Sequence, residues 1–428
     1  MSVDVEGAGR AYAKKLLLGE NTPDVDSLIV ACGEETESGG LSLSGHLKDC
    51  ALCQKKVRGI ALPEIIYYIA WALLVVSELL LRYNCPSSLS VLSDTLVDVL
   101  HGIAFLLLAA KALLSWYSGV RQIVFVVALG GIAVCSSLAA KTLTMTGIFI
   151  MLVASKGASF NKVALIQTII IVVGVILGFV LYKAGLLLDD SALRVDGDPT
   201  SLMRHSVGFK HPNMLATLVL FAICAFSAYK GMSISVLHLL IFSLLGILVY
   251  FVTGSRTASG MIFVFVLLCA LWRIKKLRLV IAAAVAIVLV LGIGLSLYLM
   301  VNFKWTVPWH EMVNNLLTQR CYLMNQYYEM YGMTLFGAGF APPSNMPLDN
   351  AYARLLLQNG VIPFVVMMGL IVTCFVRGIR KERTLPYLLI FCFLCCFGLM
   401  EYYVFSILNF SLLFIPAMLY GPLHDGTK

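Results

Sequence analysis

The sequence predicts an all-α, polytopic membrane protein of about twelve transmembrane helices, preceded by a small polar segment. Three observations carry that expectation. Of the 428 residues, 60% are apolar and only 13% are charged, more hydrocarbon than a soluble fold can bury. Window after window reaches the ~20 apolar residues that an α-helix needs to cross a bilayer core, and the short alternating segments of a β-barrel are absent. The Lys and Arg residues, which leave a net charge of +8, gather in short segments between these windows rather than in one basic stripe. That pattern orients a membrane protein and argues against nucleic acid as a partner.

Taken in order, residues 1–58 come first. They are polar and mixed in charge, with a short helix expected around Gly9 to Leu18, and read as a small cytoplasmic module. The apolar run begins only near Leu62, so no cleavable signal peptide is expected and the first span stays as an anchor. Spans then follow at 61–82, 97–117, 121–139, 143–157, 162–185, 211–229, 233–253, 257–273, 279–301, 351–376, 385–400 and 403–420. An N-terminus inside places the three densest basic clusters in the cytoplasm: Lys55, Lys56 and Arg58; Arg273, Lys275, Lys276 and Arg278; Arg377, Arg380, Lys381 and Arg383. Twelve crossings bring the C-terminus to the same side.

This orientation sends two long polar segments, 186–210 and 302–350, to the outer face, where chemistry is expected. Arg194, Arg204, Lys210, Arg256, Lys304 and Arg320 stand there against the usual bias, which suggests an anionic ligand. Glu64, Glu78, Asp98 and Lys111 are too scattered to trace an ion path and are expected at the interface or packed against one another. Most of the 12 cysteines fall inside spans as small apolar residues. Cys85 and Cys321 fall outside, as one bridge or as two free thiols.

Four constellations could carry chemistry. The first runs from Arg204 through Gly208, Lys210, His211 and Pro212 to Asn213, with Pro suited to the first turn of a helix. Arg204, Lys210 and that helix N-terminus together could hold a phosphate, or the segment is an ordinary juxtamembrane loop. The second is the turn Thr253-Gly254-Ser255-Arg256, whose guanidinium forks well onto phosphate oxygens or else pairs with a carboxylate or headgroup.

The third is the loop from Trp305 to Asn350. It holds Arg320, the amide- and phenol-rich stretch Asn325 to Glu329, Gly337 and Gly339, then Asp349, Asn350 and Tyr352 at its exit. The stretch around Asn325 suits an amphipathic helix on the membrane, and its polar groups serve sugar hydroxyls or the loop itself. The fourth is Cys32 with His46, Cys50 and Cys53, a zinc-like spacing inside the N-terminal module that lacks a second half-motif.

From about Pro63 onward the chain resembles the O-antigen polymerase and ligase family, the Wzy/WaaL type. The resemblance rests on Arg204 followed by Gly208 and Pro212-Asn213, on the Ser255-Arg256 turn, and on Arg320 followed by Leu335-Phe336-Gly337-Ala338-Gly339. It continues through Asp349-Asn350-Ala351-Tyr352 and Gln358-Asn359-Gly360. Residues 1–58 lie outside it; His46, Cys50 and Cys53 instead resemble an anti-sigma-factor zinc motif, with Cys32 out of that family's pattern.

The resemblance implies a glycosyltransferase C-type fold and a metal-independent, inverting transfer at the outer face of the bacterial cytoplasmic membrane. Undecaprenyl pyrophosphate would be the leaving group. Arg204, Arg256 and Arg320 would hold the pyrophosphate as charge builds on it. Lys210, His211, Asn213, Ser255, Glu329, Gly337, Gly339, Asn350 and Tyr352 would bind substrate, and a base would take the acceptor's proton. Asp349 stands where ligases of the family often carry His, which favours a polymerase over a ligase. Asp349 is accordingly the first candidate base, ahead of His310, Glu311 and Glu329. The substrate expected is an undecaprenyl-pyrophosphate-linked oligosaccharide, with membrane lipids, a chain-length regulator and a flippase as partners. No cofactor is expected for catalysis, only a structural zinc in the N-terminal module. Two rivals from other classes are a transporter of the same lipid-linked sugars and a membrane sensor.

Overall fold

The structure, a computed structural model, describes residues 56–57, 60–114, 120–190, 204–343 and 346–420. The chain divides at Gln54, and all of these residues belong to the unit Lys55–Lys428. The zinc candidates Cys32, His46, Cys50 and Cys53, and Arg194, lie outside the described residues.

A two-residue antiparallel pair, β1 (Lys56–Val57) and β2 (Ile60–Ala61), precedes a wholly helical body. Its first nine helices are α1 (Leu62–Leu80), α2 (Ser87–Leu114), α3 (Val120–Ala140), α4 (Thr144–Ala154), α5 (Phe160–Lys183), α6 (Pro212–Tyr229), α7 (Val236–Thr253), α8 (Arg256–Trp272) and α9 (Arg278–Asn302). Then come α10 (Pro308–Leu316), α11 (Arg320–Tyr331), α12 (Ala351–Arg354), α13 (Val361–Gly378), α14 (Leu385–Phe397) and α15 (Phe414–Tyr420).

Eight of these, α1, α2, α3, α5, α6, α7, α9 and α13, are long and apolar enough to cross a membrane, which makes the chain a multi-pass membrane protein. Their outward rows stay apolar where a soluble protein would carry charge. Leu237, Leu240, Leu244 and Leu248 on α7, and Val288 and Leu291 on α9, are all exposed. The core runs along α14, whose residues Leu388 to Cys395 are all buried, against α6 and α9.

The expected spans differ from the helices in three ways. The windows at 143–157, 257–273 and 385–400 become α4, α8 and α14, shorter than the eight crossing helices. The window at 351–376 is broken: α12 passes into a π-turn, Leu355–Asn359, and α13 starts afresh after Gly360. Gly360 has φ 102, and a Cβ on it would lie 2.5 Å from the Gly337 nitrogen. Two glycines therefore let the loop and the broken helix touch backbone to backbone.

The window at 403–420 is not one helix but two 3-10 turns, Tyr402–Phe405 and Phe410–Leu413, leading into α15. Asn409 is the physical reason: it accepts from the Ser411 amide and hydroxyl and donates to the Val404 carbonyl, offering the backbone bonds that compete with helix. Gln167 from α5 satisfies the Leu408 carbonyl, so this irregular backbone is tolerated because protein covers it.

Alternate connections collect at the same end of the bundle: α1 to α2, α3 to α4, α5 to α6, α7 to α8, α9 to α12, and α14 to α15. Every site residue expected from the sequence outside the N-terminal module lies at this end, hereafter the site end.

Candidate functional site

At the site end, the segment before α6 is fixed by one carboxylate. Asp189 accepts from the Ser206 amide at 2.8 Å and the Val207 amide at 2.9 Å, and its other oxygen lies 2.7 Å from His205 Nδ1. Burial works against its charge, but His205 and these amides outweigh it and hold the carboxyl below its ordinary value. Gly208, at φ 87, then bends the chain so that Asn84 donates to its carbonyl and Lys210 donates to the carbonyl of Arg82. Arg204 is thereby turned toward α6 and α7. Gly254, at φ 58, makes room for it, since a Cβ there would meet Arg204 Cγ at 2.8 Å.

Arg204 donates from Nε to the Thr253 carbonyl at 3.0 Å and from Nη2 to Asn213 Oδ1 at 2.6 Å. Asn213 Nδ2 donates in turn to Glu401 Oε1 at 3.3 Å, and Arg320 Nη2 reaches the same oxygen at 3.3 Å. Arg320 Nε donates to Asp349 Oδ2 at 3.2 Å. One chain of polar contacts, Arg204 to Asn213 to Glu401 to Arg320 to Asp349, thus joins the segment before α6 to the 302–350 loop through Glu401.

Glu401 is 3% exposed. Burial and the nearby Asp349 push its carboxyl up, to about 8, against the pull of Arg320 and Arg204. At neutral pH Glu401 therefore keeps a proton that an isolated carboxyl would lose.

This network borders an open cavity of about 940 Å³. Its charged lining is five cations, Arg204, Lys210, Arg256, Arg320 and Arg354, and three carboxylates, Asp190, Asp349 and Glu401. The balance leaves a net positive site matched to an anion. Arg256 begins α8, whose preceding Ser255 forms no side-chain cap, and Gly254 and Thr257 flank it in the cavity wall. An uncapped helix start facing the cavity adds to its preference for negative charge. The start of α6 differs: His211 caps its own helix by accepting from the Asn213 amide. Burial, and then Arg204, hold the His211 imidazole below its ordinary value, which suits the neutral, accepting form.

Several expected substrate ligands have other duties. Glu329, on α11, is exposed and absent from the cavity wall. Gly337 lets the loop touch the π-turn: a Cβ there would lie 2.0 Å from the Gln358 carbonyl oxygen. Gly339 packs against Lys141 and the Ala139 carbonyl. Asn350 caps α12 and donates to Ser296 and the Leu399 carbonyl, and Tyr352 donates its hydroxyl to the Cys395 carbonyl. All four shape the wall without lining it. Ser255 is buried and its hydroxyl finds no partner.

His310 is buried among Tyr298, Phe303 and Trp309, accepts from the Lys304 amide, and is not a base at this cavity. The amphipathic helix of the loop is α10, with Trp309, Met312 and Leu316 exposed on one side, rather than the stretch around Asn325. Cys85 and Cys321 are free thiols. Glu64, Glu78 and Lys111 do not pack on one another: they meet Tyr68, Arg82 and the Lys156 carbonyl.

Two residues that the sequence reading passed over matter most. Glu401 is the only charge between Leu385 and Tyr420, and an ionisable group isolated in apolar sequence is itself a sign of function. Arg354 stacks 4.2 Å over Tyr402 in the same wall and donates to Gln358 behind it. No protein-family model matches the chain, and neither a curated protein nor a solved structure matches it.

Proposed function

We propose that this chain is a polysaccharide polymerase of the capsule, O-antigen or exopolysaccharide kind, working at the outer face of the bacterial cytoplasmic membrane. The observation that carries the reading is the cavity in which Arg204, Arg256 and Arg320 meet Asp349 and Glu401 at one end of an apolar bundle. A cationic cavity at that position suits a substrate whose lipid tail stays in the bilayer while its pyrophosphate and sugar reach beyond it. The twelve crossings, the glycosyltransferase C-type fold, and the cytoplasmic termini belong to this proposal.

In the reaction, an acceptor hydroxyl oxygen attacks the anomeric carbon of a growing glycan linked to undecaprenyl pyrophosphate. The C–O bond to the pyrophosphate breaks, its electron pair leaves with the phosphate, and the configuration at the carbon inverts. Asp349 takes the hydroxyl proton. Its carboxylate is the more open of the two, with a side chain 19% exposed against 3% for Glu401, and Arg320 fixes its direction. Arg204 and Arg256 meet the charge that grows on the leaving group, a site where one preorganised donor is worth roughly 10²–10³ in rate. The proton kept on Glu401 leaves Arg320 less neutralised and more available to the phosphate.

The test is glycan chain length in cells carrying Arg256→Ala or Arg320→Ala, with membrane abundance measured alongside. Collapse to single repeat units at normal abundance is the expected result; unchanged ladders would remove the proposal. Purified protein given only lipid-linked repeat units separates a polymerase from a ligase, because a strict ligase leaves them unlengthened.

A further inference from the structure

A second cavity, of about 400 Å³, lies beside the first at the site end and shares Arg354, Tyr402 and Tyr403 with it. Its size falls in the ~300–1,000 Å³ range of small-molecule sites. Its charges balance: Glu78 and Asp98 against Arg82 and Arg354. Where the first cavity attracts an anion, this one offers a neutral ligand no net field.

One buried atom in this wall lacks a partner, and a second is met only by a long ion-pair contact. Asn359 is 5% exposed and lines the cavity, and its side-chain nitrogen forms no hydrogen bond, although its carbonyl accepts from Ser136. His101 Nε2 is also buried without a hydrogen bond, 3.7 Å from Glu78 Oε1, a gap too long for one. A buried donor left without a hydrogen bond is costly, so the Asn359 nitrogen, with His101 beside it, is poised for a ligand with hydroxyl oxygens. Around them stand aromatic faces: Tyr402 beneath Arg354, and His101 stacked on Phe105 at 6.0 Å. Hydrogen-bonding atoms beside ring faces, with no net charge, match the two sides of a sugar ring: its hydroxyls and its C–H face.

We propose that this second cavity binds an uncharged sugar residue and is the subsite for the acceptor end of the incoming repeat unit. The word acceptor rests on the polymerase reading; the sugar binding does not. The shared Arg354–Tyr402 stack then stands between acceptor sugar and donor pyrophosphate, and an acceptor hydroxyl passes this wall to reach the carboxylate pair.

The experiment uses the full chain in detergent. The probe is the oligosaccharide released by mild acid from the host's own lipid-linked repeat units, free of lipid and phosphate, titrated by calorimetry. Asn359→Leu and His101→Phe are expected to weaken binding by about tenfold or more. Asp98→Ala, at an exposed position where packing is not at risk, is expected to weaken it severalfold. Arg256→Ala in the first cavity is expected to leave it unchanged. No binding by the wild type, or equal binding by all variants, overturns the proposal, as does a loss with Arg256→Ala matching that with Asp98→Ala. Localised binding together with unchanged ladders in Arg256→Ala cells keeps the sugar site and dismisses the polymerase reading alone.

Discussion

The two ends of the bundle carry basic residues in equal earnest and hold them differently. At the end opposite the site, Arg273, Lys275, Lys276, Arg380, Lys381 and Arg383 are all exposed. Arg278 lies over Trp272 and bonds its carbonyl, and Arg377 bonds the Met418 carbonyl, as cations do when they finish a helix. At the site end, Arg204 and Arg320 are drawn into a polar network whose centre, Glu401, is buried. Charge number orients a membrane chain; charge held among carboxylates, at a fixed separation and away from water, makes a site.

That contrast is open to direct attack. The largest effect is expected at Asn213, the bridge between Arg204 and Glu401. Asn213→Ala removes hydrogen bonds to two charged groups, and chain lengthening by purified protein should fall by about 10- to 100-fold. Normal lengthening would show that the network is ornamental to the cavity.

An intermediate effect is expected at Glu401 and is read as pH dependence. Its folded-state pKa is raised above the ordinary 4.5, so its contribution to stability is complete below about 4.5 and is lost as pH rises through about 8. The melting temperature of the wild type should therefore decline over the neutral to alkaline range, and Glu401→Gln should flatten that decline. Parallel profiles would place the titrating group elsewhere. The smallest effect belongs to the opposite end: Lys275→Ser with Lys276→Ser should leave lengthening within about twofold of wild type, since exposed charges contribute little. A large loss there would erase the distinction between the ends.

Much of the fold was legible because apolar length is a strong signal: each long helix lies within or overlaps an expected span. What the windows missed were places where tertiary contacts override local preference. The π-turn at Leu355–Asn359 depends on Gly337, which approaches from a distant loop, and the irregular run after Glu401 depends on Asn409 and on Gln167 from α5. At the site, cations expected on the outer face against the usual bias marked Arg204, Arg256 and Arg320, and all three line the cavity. Polar residue type proved a poor guide to Glu329, Asn350 and Tyr352, because a Tyr or Asn beside a cavity as readily braces its wall as faces its contents. Glu401 was hidden by its surroundings, since averaging over a window submerges one charge among many apolar neighbours.

The glycine contact between Gly337 and Gly360 sets a rule for anyone exchanging parts of this chain. Because a side chain on Gly337 would collide with the Gln358–Asn359 backbone and one on Gly360 with the backbone from Leu335 to Gly337, the loop and the restart of α13 behave as a clasp with two halves. A transplanted 302–350 loop must therefore bring its own half of the clasp in register. A shift of one residue at the clasp would move Arg354 and Asp349 together.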